Sequence, residues 1–102
     1  MYTIVDGYSG EIMGWSPAEP PEQAVLDVIR EATREDYEVL ETHGPRWNQT
    51  PSRANDAGYG VQSIDDCAFV YLGELTSAPD LLDADHPARV AVIQVKKKRD
   101  AD

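Results

Sequence analysis

The side chains best suited to nucleophilic chemistry are the single cysteine, Cys67, and the two histidines, His43 and His86. A thiolate–imidazole pair is the arrangement that activates a cysteine nucleophile. However, Asp65 and Asp66 directly precede Cys67, and their negative charge disfavours a thiolate. Cys67 also opens the most apolar run of the chain, where a free cysteine behaves as a small hydrophobic residue. We therefore expect a buried structural cysteine, and the sequence indicates no catalytic residue.

Oxygen ligands for a metal ion are concentrated in a short acidic segment that contains Asp80, Asp83, Asp85 and His86. The segment lacks the alternating ligands, central glycine and terminal glutamate of an EF-hand loop. The two histidines are also too far apart in sequence to form an HExxH pattern. We expect a solvated turn here, with no metal ion and no cofactor.

A phosphate site is the third kind of chemistry to consider, because Arg46 and Arg53 stand near Gly58 and Gly60. Neither a GxGxxG nor a GxxxxGK[ST] pattern is present, so both glycine-rich phosphate cradles are missing. Two arginines in one loop can hold a phosphate or a carboxylate. They can equally form ion pairs with an acidic body, and we favour that interpretation.

The charge balance excludes several function classes. Nineteen acidic and nine basic residues give a net charge of −10. Residues 1–95 contain seventeen acidic and five basic residues, a net charge of −12, and the tail from Lys96 carries +2. Such a body repels phosphate backbones, so we expect no direct nucleic-acid binding. No apolar run approaches the length of a membrane span. A single cysteine and the lack of a signal-peptide pattern favour the cytoplasm.

Two groups of residues are candidates for binding a partner protein. The first is acidic and could complement a basic surface, although on this feature alone we favour a role in solubility or adaptation to a salty or high-GC host; it comprises Glu31, Glu35, Asp36, Glu38 and Glu41. The second belongs to the predicted loop 42–60 and contains the residue types enriched in binding hot spots; it comprises Arg46, Trp47, Arg53 and Tyr59. An alternative for this loop is that Trp47 folds back onto the core and the other residues are solvated.

The elements that must position these residues are predicted from periodicity and turn signals. Strands at 2–5 and 11–15 flank Asp6, Gly7 and Gly10, which is typical of a hairpin. A helix beginning at Pro21 has its apolar residues at helical spacing: Val25, Val28, Ile29 and Ala32. Further strands are predicted at 37–41, 67–72 and 89–95, with a short helical turn at 77–83 that Ser77 would cap.

The order β-β-α-β-loop-β-β predicts an α+β domain with a mostly antiparallel sheet of four or five strands and one main helix packed on it. We expect a single domain at 1–95 and a basic, frayed tail at 96–102. The favoured function is a non-catalytic acidic interaction module, such as a phage-type nuclease inhibitor, that occupies the nucleic-acid-binding surface of a partner protein. One alternative is a small-molecule-binding or enzymatic domain with a pocket under loop 42–60, built from His43, Arg46, Asn48 and Arg53. Another is a self-associating structural subunit.

Overall fold

In the part of the chain that the structure describes, one antiparallel sheet and one helix make up the fold. The computed structural model describes residues 1–47, 67–81 and 83–98. In chain order the elements are β1 (Tyr2–Asp6), β2 (Ile12–Ser16), α1 (Pro21–Thr33), β3 (Tyr37–His43), β4 (Cys67–Leu72) and β5 (Arg89–Lys97). The strands form a five-stranded sheet in the order β2-β1-β4-β5-β3, and every pairing is antiparallel. The predicted α+β class and the predicted element order are confirmed.

The hairpin of β1 and β2 forms where the turn residues predicted it. Asp6 accepts hydrogen bonds at Oδ1 from the backbone N–H groups of Tyr8 and Ser9, at 2.7 and 3.2 Å. Gly10 has a φ of 77°, a left-handed conformation that glycine adopts without steric cost. Its N–H donates to the Asp6 carbonyl at 2.8 Å. Local turn chemistry therefore closes this hairpin.

Helix α1 begins at Pro21, as predicted, because proline suits the first helical position. Ala24, Val25, Val28 and Ile29 are buried and pack on one face of the sheet. Ala32, which the periodicity assigned to the same stripe, is exposed. The helix ends one residue later at Thr33, and its last turn lies beside the edge strand β2, so Ala32 lines an open groove there.

The sheet has an apolar core on both faces. The cluster under α1 includes Ile4, Val70 and Ile93, and the cluster on the opposite face includes Phe69 and Val92. Strand β4 lies at the centre of the sheet and contributes to both clusters. This explains the continuous apolar run at 67–72, since a strand buried on both faces needs no polar alternation. No helix of the described ranges covers the second face.

The first two residues of the predicted loop 42–60 belong instead to strand β3. Thr42 and His43 continue the pairing with β5, where they stand opposite Ile93 and Val92. The loop prediction was wrong at these positions because cross-strand pairing, rather than local apolar content, decides where an edge strand ends. Residues 48–60 lie outside the described residues.

At the other end of the same pairing, β5 extends beyond its predicted end at residue 95. Lys96 pairs with Glu38 and Lys97 with Tyr37, and the Lys98 N–H donates to the Asp36 carbonyl at 2.9 Å. The first residues of the predicted frayed tail are therefore held by the sheet. The predicted helical turn at 77–83 is also wrong, because the described part of this segment contains bends and turns but no helix.

Candidate functional site

The predicted acidic residues all lie at the end of α1, in the following connection and on β3. Their side chains are exposed; we call this set the acidic surface, and it comprises Glu31, Glu35, Asp36, Glu38 and Glu41. On β3, Glu38 and Glu41 stand opposite Lys96 and Gln94, and a register shift lies between Val39 and Glu41. With strict alternation, residues three positions apart would lie on opposite faces of the strand. The extra residue that the register shift inserts on β3 brings both carboxylates to the same face.

Basic groups interrupt the acidic surface. Lys97 Nζ lies 2.8 Å from Glu35 Oε1, and Arg30 Nε lies 3.6 Å from Asp36 Oδ1. Both pairs are largely exposed, so each contributes no more than about 1 kcal/mol to stability. Among the described residues, Glu31 forms no ion pair. The acidic surface therefore combines at least one unpaired carboxylate with others whose partners can be exchanged.

The described part of the predicted loop folds against the sheet face that α1 leaves uncovered. The Trp47 ring stacks on the His43 ring with centroids 4.0 Å apart and an interplanar angle of 9°. Trp47 is also partly buried and packs against the second core cluster. This placement agrees with the alternative given above, in which Trp47 folds back onto the core. His43 Nε2 also lies within hydrogen-bond distance of the Gln94 side chain, 2.7 Å from Oε1.

Arg46 is exposed, and its Nε lies 3.6 Å from Asp85 Oδ1. This contact agrees with the interpretation that Arg46 forms an ion pair with the acidic body of the protein. Arg53 and Tyr59, the other two loop residues of the predicted binding set, lie outside the described residues, as does Asn48. The acidic surface and the loop residues that are described do not form one continuous cluster around a common cavity.

Sequence reasoning missed a buried arginine on the sheet face opposite α1, which no described helix covers and which we call the helix-free face. Arg89 is 4 % exposed, and its guanidinium carbon lies 4.4 Å from the Phe69 ring centroid. Its Nη2 donates to the Trp47 carbonyl at 2.7 Å, and its Nη1 donates to the Leu81 carbonyl at 3.4 Å. Arg89 thus ties β5 to two separate connecting segments. The sequence contains no signal for this, because arginine at the first position of a strand is normally exposed.

Two buried polar atoms beside this arginine have no hydrogen-bond partner among the described residues: Arg89 Nε and the hydroxyl of Tyr71. The His86 ring meets the Tyr71 ring edge to face, with centroids 5.4 Å apart. Burial raises the pKa of Tyr71, and the charges of Asp83 and Asp80 add to this while Arg89 opposes it. Burial also lowers the pKa of Arg89. Both shifts have the same main cause, the loss of water around the charged form.

Metal and thiol chemistry receive no support from side-chain placement. Within the ranges 1–47, 67–81 and 83–98, no three His, Cys, Asp or Glu side chains are grouped to hold a metal ion. Asp83 and Asp85 belong to a turn, where the Asp85 N–H donates to Asp83 Oδ1 at 3.1 Å. Cys67 is buried and forms no disulfide within the chain. No described helix has the length and apolar character needed to cross a membrane.

Comparison with protein-family models, with curated proteins and with solved structures gave no match.

Proposed function

We propose that the protein is a non-catalytic interaction module that binds another protein through its acidic surface. In this proposal the partner is a nucleic-acid-binding protein, such as a nuclease. The module occupies the partner's basic surface stoichiometrically and so inhibits or modulates it. A reducing compartment such as the cytoplasm suits this role, because a single cysteine allows no disulfide within the chain.

The observation that carries the proposal is that all five carboxylates of the acidic surface are exposed within residues 31–41, the stretch that joins α1 to β3. The junction is held by the sheet on one side and by the buried face of the helix on the other. Carboxylates held on rigid elements can complement a basic groove, because little conformational entropy is lost when they bind. The net charge of −10 adds long-range attraction to a basic partner.

The ion pairs within the acidic surface define which carboxylates act first. Glu31 is unpaired among the described residues, so an incoming lysine or arginine displaces only water from it. At Glu35, the partner must compete with the Lys97 ammonium group. Because such exposed pairs contribute little, exchanging one cation for another costs little free energy. Glu38 likewise forms no ion pair with a described residue, so we expect Glu31 and Glu38 to dominate the association rate.

The test is capture of partners from host lysate at low and moderate salt, followed by kinetics with the purified partner. Charge reversal by Glu31→Lys with Glu38→Lys is expected to slow association about tenfold at low salt and to flatten its salt dependence. The matched control is Glu74→Lys, an exposed position that follows β4 near the start of β5, whereas Glu38 stands opposite Lys96 at the end of β5. No salt-sensitive partner at either salt concentration, or equal slowing by the control, would refute the proposal.

A second candidate function is small-molecule binding on the helix-free face. The specific observation in its favour is the pair of buried atoms without described partners, Arg89 Nε and the Tyr71 hydroxyl. Both are hydrogen-bond donors, so they suit a ligand with a carboxylate or phosphate oxygen. Thermal shifts in the presence of small carboxylates and phosphates test this function, with Tyr71→Phe expected to reduce the shift.

A further inference from the structure

A groove runs between the edge strand β2 and helix α1, away from β3. Its volume is about 170 Å³. On the strand side, Met13 and Gly14 line it. On the helix side, Val28 lies at the base, and the rim includes Asp27, Glu31 and Ala32. Gly14 lets the helix approach closely, since a Cβ built on it would lie 3.1 Å from Val28 Cγ1.

The backbone of β2 forms the open side of this groove. β2 is at the end of the strand order, and within the described residues it pairs with β1 alone. Alternate residues of an edge strand direct N–H and C=O groups outward, where another strand can pair with them. The other edge, β3, carries Glu38 and Glu41, whereas Ile12–Ser16 contains no charged residue. Of the two edges, β2 is therefore the one without charges that oppose strand addition.

The two faces beside the β2 edge have different chemistry. On the α1 face, Asp27 and Glu31 lie one helical turn apart, and neither forms an ion pair with a described residue. On the opposite face lies the Trp15 ring, which is 45 % exposed. Its Nε1–H donates to the Leu75 carbonyl at 2.9 Å, and Leu75 packs against the second core cluster. A strand added here would meet carboxylates on one face and an indole ring on the other.

We infer that the β2–α1 groove binds an extended segment of the partner by strand addition, and that this segment alternates basic and apolar residues. Side chains of an added strand point alternately to the two faces. Lysine or arginine on one face would pair with Asp27 and Glu31, while apolar side chains on the other face would cover Trp15. This inference rests on the proposed function, and it identifies the segment of the basic partner that the module recognises.

The test is an NMR titration of the full chain with a capped peptide of about eight residues that alternates lysine and valine, close to the usual strand length. We expect amide shifts confined to β2 and the facing turn of α1. Asp27→Lys with Glu31→Lys should raise the Kd about tenfold. Ala32→Trp should block binding by filling the groove from an exposed helix position, where folding is preserved. The matched charge control, Asp83→Lys with Asp85→Lys in the exposed turn before β5, should leave the Kd within about twofold.

Each alternative outcome separates this inference from the proposed function. If both double charge reversals raise the Kd equally and the amide shifts spread over the acidic surface, binding in the groove is refuted. That result would still agree with an acidic binding module. Shifts along β3, or no binding of the peptide, would also refute binding in the groove. If the peptide binds in the groove but no nucleic-acid-binding partner is captured, the groove is supported and the proposed partner class fails.

Discussion

Replacement of Gly7 by alanine tests how tightly the hairpin turn packs against the helix-free face. Gly7 is buried, and its N–H donates to the Cys67 carbonyl at 2.9 Å. A Cβ built on Gly7 would overlap Cys67 Sγ and would lie 2.8 Å from the Cys67 carbonyl oxygen and 3.0 Å from Phe69 Cε1. Cys67 and Phe69 are themselves buried, so neither can move into solvent. The added methyl group therefore has to displace backbone or core atoms.

The expected loss follows from two opposing effects. Overpacking a core costs about 1–3 kcal/mol, and the upper end applies here because one of the crowded atoms is a backbone oxygen in the sheet. Alanine also restricts the unfolded chain and so returns about 0.4–1 kcal/mol. We expect Gly7→Ala to lower the free energy of unfolding by about 2 kcal/mol. Gly44→Ala is the matched control, because no atom of the described residues, apart from its chain neighbours, lies within 4 Å of its added Cβ.

Urea denaturation followed by tryptophan fluorescence measures both variants, with equal m-values required for the comparison. The double variant with Cys67→Ala removes the overlapping sulfur atom. We expect it to be less destabilised than the sum of the two single changes, with a coupling energy of about 1 kcal/mol. A Gly7→Ala protein as stable as the parent would refute the packing argument. Strict additivity with Cys67→Ala would show that the sulfur atom is not the obstacle.

Further variants test the helix-free face. Arg89→Ala should lower the free energy of unfolding by about 2–3 kcal/mol, because it removes a charged hydrogen bond to the Trp47 carbonyl and the contact with the Phe69 ring; a loss below about 0.5 kcal/mol in urea titration would contradict this. Tyr71→Phe removes a buried hydroxyl without a described partner and should leave stability unchanged or raise it by about 1 kcal/mol, so a clear loss would show that the hydroxyl is paired. The pKa of Tyr71 is raised in the folded state, so the neutral phenol contributes to stability at lower pH. This contribution is lost as the pH rises above about 10, the usual pKa of tyrosine. Above that pH, the free energy of unfolding should therefore fall less in Tyr71→Phe than in the parent protein. The buried Cys67 thiol should react with an aromatic disulfide reagent only as fast as the protein opens, and rapid reaction of the native protein would refute its burial.

Patterns of short range were sufficient to predict most of the fold. Pro21 and the apolar spacing of Val25, Val28 and Ile29 predicted the position and buried face of α1. The glycines of the first turn predicted the hairpin, and the apolar run at 67–72 predicted a strand buried on both faces. These features could be read directly because propensity, turn geometry and burial pattern act over a few residues.

Element ends depended on pairing that the local pattern does not contain. His43 and Lys97 are strand residues only because each has a partner on the adjacent strand. The same limit applies to the predicted turn at 77–83, where the local capping signal of Ser77 did not produce a helix. Its short length leaves too few helical hydrogen bonds to offset nucleation.

For the candidate site, the sequence by itself determined the supply of charge. It contains an excess of ten acidic residues, and five carboxylates follow the apolar stripe of α1 closely enough to be exposed together. Only the tertiary structure decided which of them are paired, since Lys97 reaches Glu35 across the β3–β5 ladder. It also decided that Arg89 is buried, because the carbonyl groups of two distant segments converge on its guanidinium. The physical reason is the same in both cases: charge is a property of the residue, whereas its partners and its solvation depend on which segments the sheet brings together.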